Sequence, residues 1–405
     1  MNRGFYIILT AQFLSALADN ALLFAAIALL KTLQAPDWQT PVLQEFFVIS
    51  YIAMAPFVGP FADSMPKGRV MFISNAIKLI GCLAMLAGMQ PLYAYAIVGF
   101  GAAAYSPAKY GILTEYLPPR LLVVANSWME GATVAAIILG AIIGGLLISP
   151  HHIGLWMHHI GLADRLSVPQ FAIIIIAFLY LGAAWINLYI PQLAIDHRVP
   201  KKNIVFLLYD FWHAFKLLWK DPLGQVSLAV TTLFWGVGAT LRLVVLVWAG
   251  FNLKFDLTHA TLLTAMVAVG IAIGAAVAGK WIKLEDSVKV LPAGIALGLI
   301  VIGMIFVTDW RVAMAVMFVV GALSGFFVVP LNALLQHRGH LLMGAGHSIA
   351  IQNFNENAGI LFLLGAYTFM VSNGVHIHWV IVTFGLFIST AMAVIWQRHR
   401  ADVVH

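Results

Sequence analysis

The sequence predicts an all-α integral membrane protein with about twelve transmembrane helices in two pseudo-symmetric six-helix bundles and both termini in the cytoplasm. Hydrophobic residues make up 62% of the 405 residues and charged residues only 9%, whereas soluble domains carry about 25% charged residues. The apolar runs are long and continuous, which favours helices over the short alternating strands of a membrane barrel. Lys and Arg gather on one predicted side of the membrane, which fits an even number of crossings.

Twelve apolar runs are predicted to span the membrane. Their ranges are 5–31, 42–62, 69–89, 91–116, 122–148, 168–190, 226–250, 258–281, 287–307, 310–336, 342–372 and 377–397. With both termini inside, only Lys31, Arg165, Lys254 and Arg311 lie on the outer side, and most other basic residues lie in inner loops. The formal net charge of +6 is therefore an orientation signal whose partner is anionic lipid, and no nucleic-acid partner is expected.

A polar interruption on the inner side divides the chain into an N-terminal bundle (1–190), a cytoplasmic linker (191–225) and a C-terminal bundle (226–405). The second part of the linker sets Lys216 and Lys220 against aromatic and aliphatic residues such as Phe211 and Leu218. This amphipathic pattern predicts an interfacial helix on the inner leaflet.

The two halves carry a weak internal repeat. "PAKYGILTE" (107–115) in the fourth span resembles "PLNALLQHR" (330–338) in the tenth. Each is followed by an amide and an acid four residues apart, Asn126 with Glu130 and Gln352 with Glu356. Two parallel repeats are typical of one class of secondary transporter. The alternative is chance similarity among apolar helices.

The loop "GPFADSMPKGR" (59–69) between spans two and three places Asp63 before Lys67 and Arg69. It resembles the loop motif of the major facilitator superfamily, although the gap between the acid and the second glycine is longer here. Asp63 can accept hydrogen bonds from helix N-termini or from a basic partner in the other half, and so hold the inner side closed. The alternative is an ordinary solvated turn.

Three charged residues are predicted at or just beyond mid-membrane: Asp19, Arg242 and Glu356. A charge there costs about 2.5–3.5 kcal/mol on insertion scales, so it normally faces a cavity or a partner. Asn20 and Asn357 follow the two acids and add amide donors and acceptors. Such a site suits a zwitterion, with its ammonium on the acids and its phosphate on the Arg. The alternative is that Arg242 simply neutralises Asp19.

Three further charges lie within predicted spans. Lys109 and Glu130 are about eight residues from the inner ends of adjacent spans, about 12 Å of helix rise, and are predicted to form a structural or gating ion pair. Contact of these two residues with substrate is the alternative. Lys78 in the third span is expected to be peripheral, with its stem in lipid and its head group reaching for a partner.

Three other interpretations of short segments are disfavoured. Cleavage after Ala18 of a signal peptide fails because the apolar run continues through Leu30 and forms a full span. His159 and Asp164 have the spacing used by glycerolipid acyltransferases, but they fall on the outer side, so we do not expect an enzyme. The sequence has no phosphate-binding loop, and no metal or other cofactor is expected.

The strings "SALADNALLFAAIALLK", "GAAAYSPAKYGILTEYL", "FFVVPLNALLQHRG" and "AIQNFNENAG" resemble the bacterial lysophospholipid transporters of the major facilitator superfamily over essentially the whole chain. This resemblance implies the major facilitator fold in the Gram-negative inner membrane. It implies flipping of lysophosphatidylethanolamine and related lysolipids from the outer to the inner leaflet, where an acyltransferase/acyl carrier protein synthetase would reacylate them. Asp19, Asn20, Glu356 and Asn357 would then form the head-group site.

Together, residues and resemblance predict alternating access around a mid-membrane head-group site, with the acyl chain in an apolar seam. Asp19, Asn20, Arg242, Glu356 and Asn357 are the candidate substrate ligands. A proton-coupled exporter of amphipathic drugs, with Asp19 as the protonation site, is the alternative function.

Overall fold

The computed structural model describes residues 2–36, 38–159, 165–193, 203–255 and 257–404, and these residues are helical apart from short connections. The helices are α1 (Arg3–Thr32), α2 (Gln39–Asp63), α3 (Lys67–Leu86), α4 (Pro91–Tyr116), α5 (Leu122–Leu147), α6 (Leu155–His159), α7 (Val168–Asn187), α8 (Ile204–Lys220), α9 (Pro222–Asn252), α10 (Leu257–Trp281), α11 (Leu291–Gly303), α12 (Trp310–Met343), α13 (Ala345–Ser372) and α14 (Ile377–Val404). The predicted all-α membrane class is confirmed.

Ten helical segments of the described residues are long and apolar enough to cross a membrane. The helices α4 and α13, with 26 and 28 residues, are also long enough to reach across a bilayer at about 1.5 Å per residue. Their apolar runs are interrupted by small and polar residues, such as Pro107 in α4 and Asn355 in α13. These twelve segments correspond to the twelve predicted spans.

Local sequence signals set several helix ends. Asn2 caps α1 by accepting from the Phe5 amide, and Ser167 and Gln170 form a capping box at the start of α7, which satisfies amides that the first turn leaves free. The boundary between spans ten and eleven was predicted too early. The helix α12 continues to Met343 and stops at Gly344, whose φ of 104° is unfavourable for residues with a Cβ atom.

Asp221 caps α9 through a hydrogen bond from the Gly224 amide and forms an ion pair with Arg338 of α12. Burial by itself raises the pKa of Asp221. The hydrogen bonds from Arg338 and Gly224 lower this pKa by a larger amount, so that it lies below its usual value. The carboxylate is therefore charged at neutral pH and fixes the start of α9 against α12.

The chain divides into two compact units. Unit 1 comprises Met1–Glu115, Ala135–Phe211 and Ala345–Ala350. Its core is formed by α1, α2, α3, α4 and α7, with Ala18, Cys82, Val98 and Tyr180 among the buried residues. A small residue lets α5 approach α1 closely, since a Cβ atom at Gly140 of α5 would lie 2.7 Å from the Asn20 side chain of α1, as is common in membrane helix packing.

Unit 2 comprises Tyr116–Val134, Trp212–Gly344 and Ile351–His405. The closest packing in this unit joins α10 and α12, where Gly270 and Gly274 meet the backbone of α12 and Gly321 and Gly325 meet the backbone of α10. A Cβ atom at Gly274 would overlap the backbone of Ala322. Because backbone atoms cannot rotate away as a side chain can, this contact requires glycine.

The predicted amphipathic helix is present as α8 (Ile204–Lys220). One face, with Phe211, Ala214 and Leu218, is buried in the protein, whereas Val205 and Tyr209 leave a second apolar face exposed. Residues 194–202 of the predicted linker lie outside the described residues. The placement of this helix on the inner leaflet and the three-part division of the chain remain predictions.

The glycine contact of α10 gives a direct test of packing. Gly274→Ala should lower stability by about 1–3 kcal/mol, because the added methyl group forces α10 away from α12. Thermal unfolding of the purified protein in detergent measures the change. Gly365→Ala is the matched control, since open space surrounds that position in α13. Equal midpoints for the two variants would contradict the proposed close contact.

Candidate polar site within the membrane

Asp19 lies in the middle of α1 and has a complete set of partners in unit 1. Its Oδ2 atom accepts from Lys78 Nζ at 2.8 Å, and its Oδ1 atom accepts from the Tyr180 hydroxyl at 2.7 Å. The Asp19 side chain is 23% exposed, whereas that of Lys78 is only 1% exposed. Asp19 is thus the accessible member of a buried ion pair.

The expectation that Lys78 is peripheral was wrong. Its stem is buried between helices because Gly101 of α4 leaves room for it, and a Cβ atom at Gly101 would lie 2.7 Å from Lys78 Cγ. The expectation missed the nearby Ser74 and Asn75, which continue the polar face of α3 over one turn. This local clustering was the sequence signal for a buried lysine.

Polar and aromatic groups extend the ion pair into a network. Lys78 Nζ donates to Ser15 Oγ at 3.0 Å, and Ser15 donates to Asn75 Oδ1 at 2.7 Å. The ammonium also lies 4.8 Å from the centre of the Tyr105 ring and 5.6 Å from that of Tyr180. Cation–π contacts of this kind stabilise a desolvated ammonium by up to about 2 kcal/mol.

Asn20 and Asn357 play equivalent local roles in the two units. Asn20 Nδ2 donates to the Ala16 carbonyl, and Asn357 Nδ2 donates to the Asn353 carbonyl, both at 2.8 Å. Each amide thereby bonds to its own helix four residues earlier. These hydrogen bonds are made by the amide nitrogens. Contact of the two side chains with a ligand remains a prediction.

In unit 2, Glu356 of α13 is buried and accepts from Gln352 Nε2 at 2.7 Å. The same amide donates to Asn332 Oδ1 of α12 at 2.8 Å. Both segments of the C-terminal sequence repeat therefore meet in one polar cluster. Arg242, the third candidate charge, lies on α9 with an exposed side chain.

The N-terminal repeat contributes a second amide cluster to unit 2. Asn126 and Gln336 exchange hydrogen bonds, with Asn126 Nδ2 to Gln336 Oε1 at 2.9 Å and Gln336 Nε2 to Asn126 Oδ1 at 2.8 Å. Both side chains are buried, so each amide satisfies the other. This pair joins α5 of the first half of the sequence to α12 of the second half.

The predicted gating residues have different surroundings. Asp63 and Lys67 form an ion pair at 2.7 Å, whereas Arg69 is exposed at the start of α3. Lys109 is half-buried in unit 1 with its ammonium 4.2 Å from the Tyr110 ring centre. Glu130 is buried in unit 2. The proposed pairing of Lys109 with Glu130 remains a prediction.

Asp63 accepts from the N-terminus of α13, one of the two kinds of partner considered for this carboxylate from the sequence. Its Oδ1 atom accepts from the Gly346 amide at 2.8 Å and its Oδ2 atom from the His347 amide at 3.2 Å. The six residues Ala345–Ala350 belong to unit 1 although they come from the second half of the sequence. A carboxylate at a helix N-terminus interacts favourably with the helix dipole.

Sequence reasoning missed the histidine in this cluster. His347 Nδ1 lies 2.8 Å from Asp63 Oδ2, and Nε2 lies 3.2 Å from Asp210 Oδ2 of α8. Lys67 also lies 3.1 Å from Glu115 of α4. We call these five residues, Asp63, Lys67, Glu115, Asp210 and His347, the acid–base cluster. It connects the beginning of α13 to α2, α3, α4 and α8.

Of the two residues whose spacing is that of an acyltransferase, His159 and Asp164, the structure describes only His159. His159 is exposed at the end of α6, where its Nδ1 atom lies 2.9 Å from the carbonyl of Leu155. Asp164 lies outside the described residues. Among the described residues, no group of three or more His, Cys, Asp and Glu side chains is arranged to hold a metal ion.

Comparisons with known proteins agree with this architecture. The sequence model of the Major Facilitator Superfamily matches residues 8–362. The chain is 42% identical over 400 residues to the lysophospholipid transporter LplT of Escherichia coli O1:K1 / APEC, covering 98% of this chain and 96% of the relative. Its identity to LplT of Klebsiella pneumoniae subsp. pneumoniae is 43% with the same coverage.

Solved structures show the same fold at low sequence identity. The transporter FucP in the outward conformation gives a TM-score of 0.77 at 13% identity, covering 98% of this chain and 97% of FucP. A bacterial homologue of the iron transporter ferroportin gives a TM-score of 0.73 at 15% identity, covering 98% of this chain and all of the homologue, at 100%.

The acid–base cluster makes a testable contribution to stability. Asp63→Asn should destabilise the protein by about 3–5 kcal/mol, because it removes one partner of buried charges. Thermal unfolding in detergent measures the loss. Asp286→Asn is the matched control, since the pair of Asp286 with Lys289 is exposed and such pairs contribute little. A variant of Asp63 with the wild-type midpoint would contradict this role.

Proposed function

Because this chain belongs to the lysophospholipid transporters of the major facilitator superfamily, we propose that it flips lysophosphatidylethanolamine and related lysolipids from the outer to the inner leaflet of a Gram-negative inner membrane. A functional link to a cytoplasmic-side acyltransferase/acyl carrier protein synthetase would then allow reacylation. The single observation that carries the proposal is the accessible Asp19 carboxylate of α1, paired with Lys78 inside the membrane.

The chemistry of the polar clusters supports a zwitterionic substrate. In unit 1, Asp19 offers a carboxylate for an ammonium group, and Asn20 follows it. In unit 2, Glu356 and Asn357 offer the same pair of functional groups, and Arg242 offers a guanidinium for a phosphate. We assign each cluster to head-group recognition, while apolar helix surfaces accommodate the single acyl chain.

Alternating access is the mechanism we propose for this transport. Asp63 links the first residues of α13 to α2, and such a charge-assisted contact can be made in one state and broken in another. Breaking the acid–base cluster would release α13, the helix that also carries Glu356. A lateral opening would admit the acyl chain from the bilayer, since a single-chain lipid requires only a narrow apolar path.

The decisive experiment measures flipping in proteoliposomes. Fluorescent lysophosphatidylethanolamine is added outside, and its protection from extraction by albumin is followed over time. Asp19→Ala should abolish protection, because the ammonium loses its carboxylate partner. His159→Ala is the control and should flip normally, since its side chain is exposed and its Nδ1 atom lies beside the Leu155 carbonyl of its own helix, α6.

Two outcomes would contradict the proposal. A folded Asp19→Ala protein that flips at the wild-type rate would remove the head-group assignment. A wild-type protein that moves cationic dyes down a pH gradient but leaves the lysolipid outside would instead support the proton-coupled exporter.

A further inference from the structure

Lys78 gives the Asp19 site a property that the proposed function does not itself require. We propose that Lys78 determines the charge class of the head group: it neutralises Asp19 in the empty transporter and becomes the counter-ion of the phosphate when a substrate ammonium takes its place on Asp19. This inference rests on the proposed function, because it assumes that Asp19 meets the head group.

The first argument concerns the cost of the ion pair. Each charge in the membrane costs about 2.5–3.5 kcal/mol on insertion scales, and two apolar side chains of similar size would often be as stable as a buried pair. The protein nevertheless holds Lys78 in place through Ser15 Oγ, two tyrosine rings and the space left by Gly101. Such an arrangement indicates a function beyond packing.

The second argument concerns access. The carboxylate of Asp19 is 23% exposed while Lys78 is 1% exposed, so an incoming molecule meets the anion first. Both Asp19 oxygens are already engaged, one by Lys78 and one by Tyr180. A simple cation must therefore displace Lys78 and leave a second buried charge without compensation, which is strongly unfavourable.

The third argument concerns what a zwitterion supplies. If its ammonium replaces Lys78 on Asp19, its own phosphate can pair with the released lysine, so that no net charge enters the site. Asn75 provides an additional donor: its side chain is fully buried, and Nδ2 has no hydrogen-bond partner among the described residues. A buried donor of this kind gains free energy when an acceptor arrives. A phosphate oxygen is such an acceptor.

The selectivity follows because a ligand with a single charge leaves one buried charge without a partner. Lysolipids with both charges exchange with the Asp19–Lys78 pair, whereas a cationic or an anionic amphiphile leaves one member unpaired. The same argument predicts that removing either member opens the site to one class of single charge. Lys78→Met should favour cations, and Asp19→Asn should favour anions.

The experiment compares three single-chain amphiphiles of matched chain length: lysophosphatidylethanolamine, an alkylammonium and an alkyl phosphate. Binding to the purified protein is measured by the shift of its thermal unfolding in a neutral detergent, which does not depend on flipping. The wild type should bind the zwitterion most tightly. Lys78→Met should gain affinity for the alkylammonium by about tenfold or more, and Asp19→Asn should gain similarly for the alkyl phosphate.

Controls separate specificity from folding. Lys289→Met makes the same substitution at an exposed ion pair and should keep the wild-type order of affinities. Lys78→Arg retains the positive charge and should also keep the wild-type order of affinities. If one single variant does not fold, the other decides. The neutral double variant Asp19→Asn with Lys78→Met should bind all three amphiphiles with little discrimination by charge.

The results decide the inference independently of transport. Folded single variants that keep the wild-type order, or a double variant that still prefers the zwitterion, would overturn it. A wild-type protein that binds lysophosphatidylethanolamine with this charge selectivity but does not flip it would contradict the proposed function while leaving the role of Lys78 intact.

Discussion

The ion pair between Asp19 and Lys78 is the constraint on which the N-terminal part of the structure depends. A carboxylate and an ammonium can stay inside a membrane only when nearly every polar atom finds a partner. The surrounding helices meet this requirement with Tyr180 on one carboxylate oxygen and Ser15 on the ammonium. Glycine at position 101 provides the space for the lysine stem. The close packing allowed by a small residue and the hydrogen bonds to the ion pair are therefore both needed to bury Lys78 beside Asp19.

In unit 2, side-chain amides provide the partners of buried polar atoms. The side chains of Asn126 and Gln336 form a reciprocal pair of neutral amides, and Gln352 donates to Asn332 and to Glu356. Amides can donate and accept at once, so they form fixed contacts between helices at lower desolvation cost than ions. Of these residues only Glu356 carries a charge, and it lies on α13, the helix whose first residues are held by Asp63.

Contacts across the two sequence halves involve a repeated motif in one case and the loop at Asp63 in the other. Asn126 of the first repeat meets Gln336 in the second repeat, and the start of α13 meets Asp63 from the first half. His347 then extends the latter contact to Asp210 of the amphipathic helix. In the proposed alternating access, these charged contacts are the ones that can be made in one state and lost in another.

Composition and the long apolar runs determined the membrane class, the twelve helical segments and the polar positions Asp19 and Glu356, since the free-energy cost of charge in lipid makes each intramembrane acid conspicuous in the sequence. Asp63 was found through its loop motif. The partners of these acids were decided by tertiary structure. Lys78 is 59 residues from Asp19, and His347 is 284 residues from Asp63, so no local pattern specifies either contact. Sequence reasoning therefore considered Arg242 as the neutralising charge and placed Lys78 at the lipid, whereas helix packing buries Lys78 against Asp19 because Gly101 leaves room for its side chain.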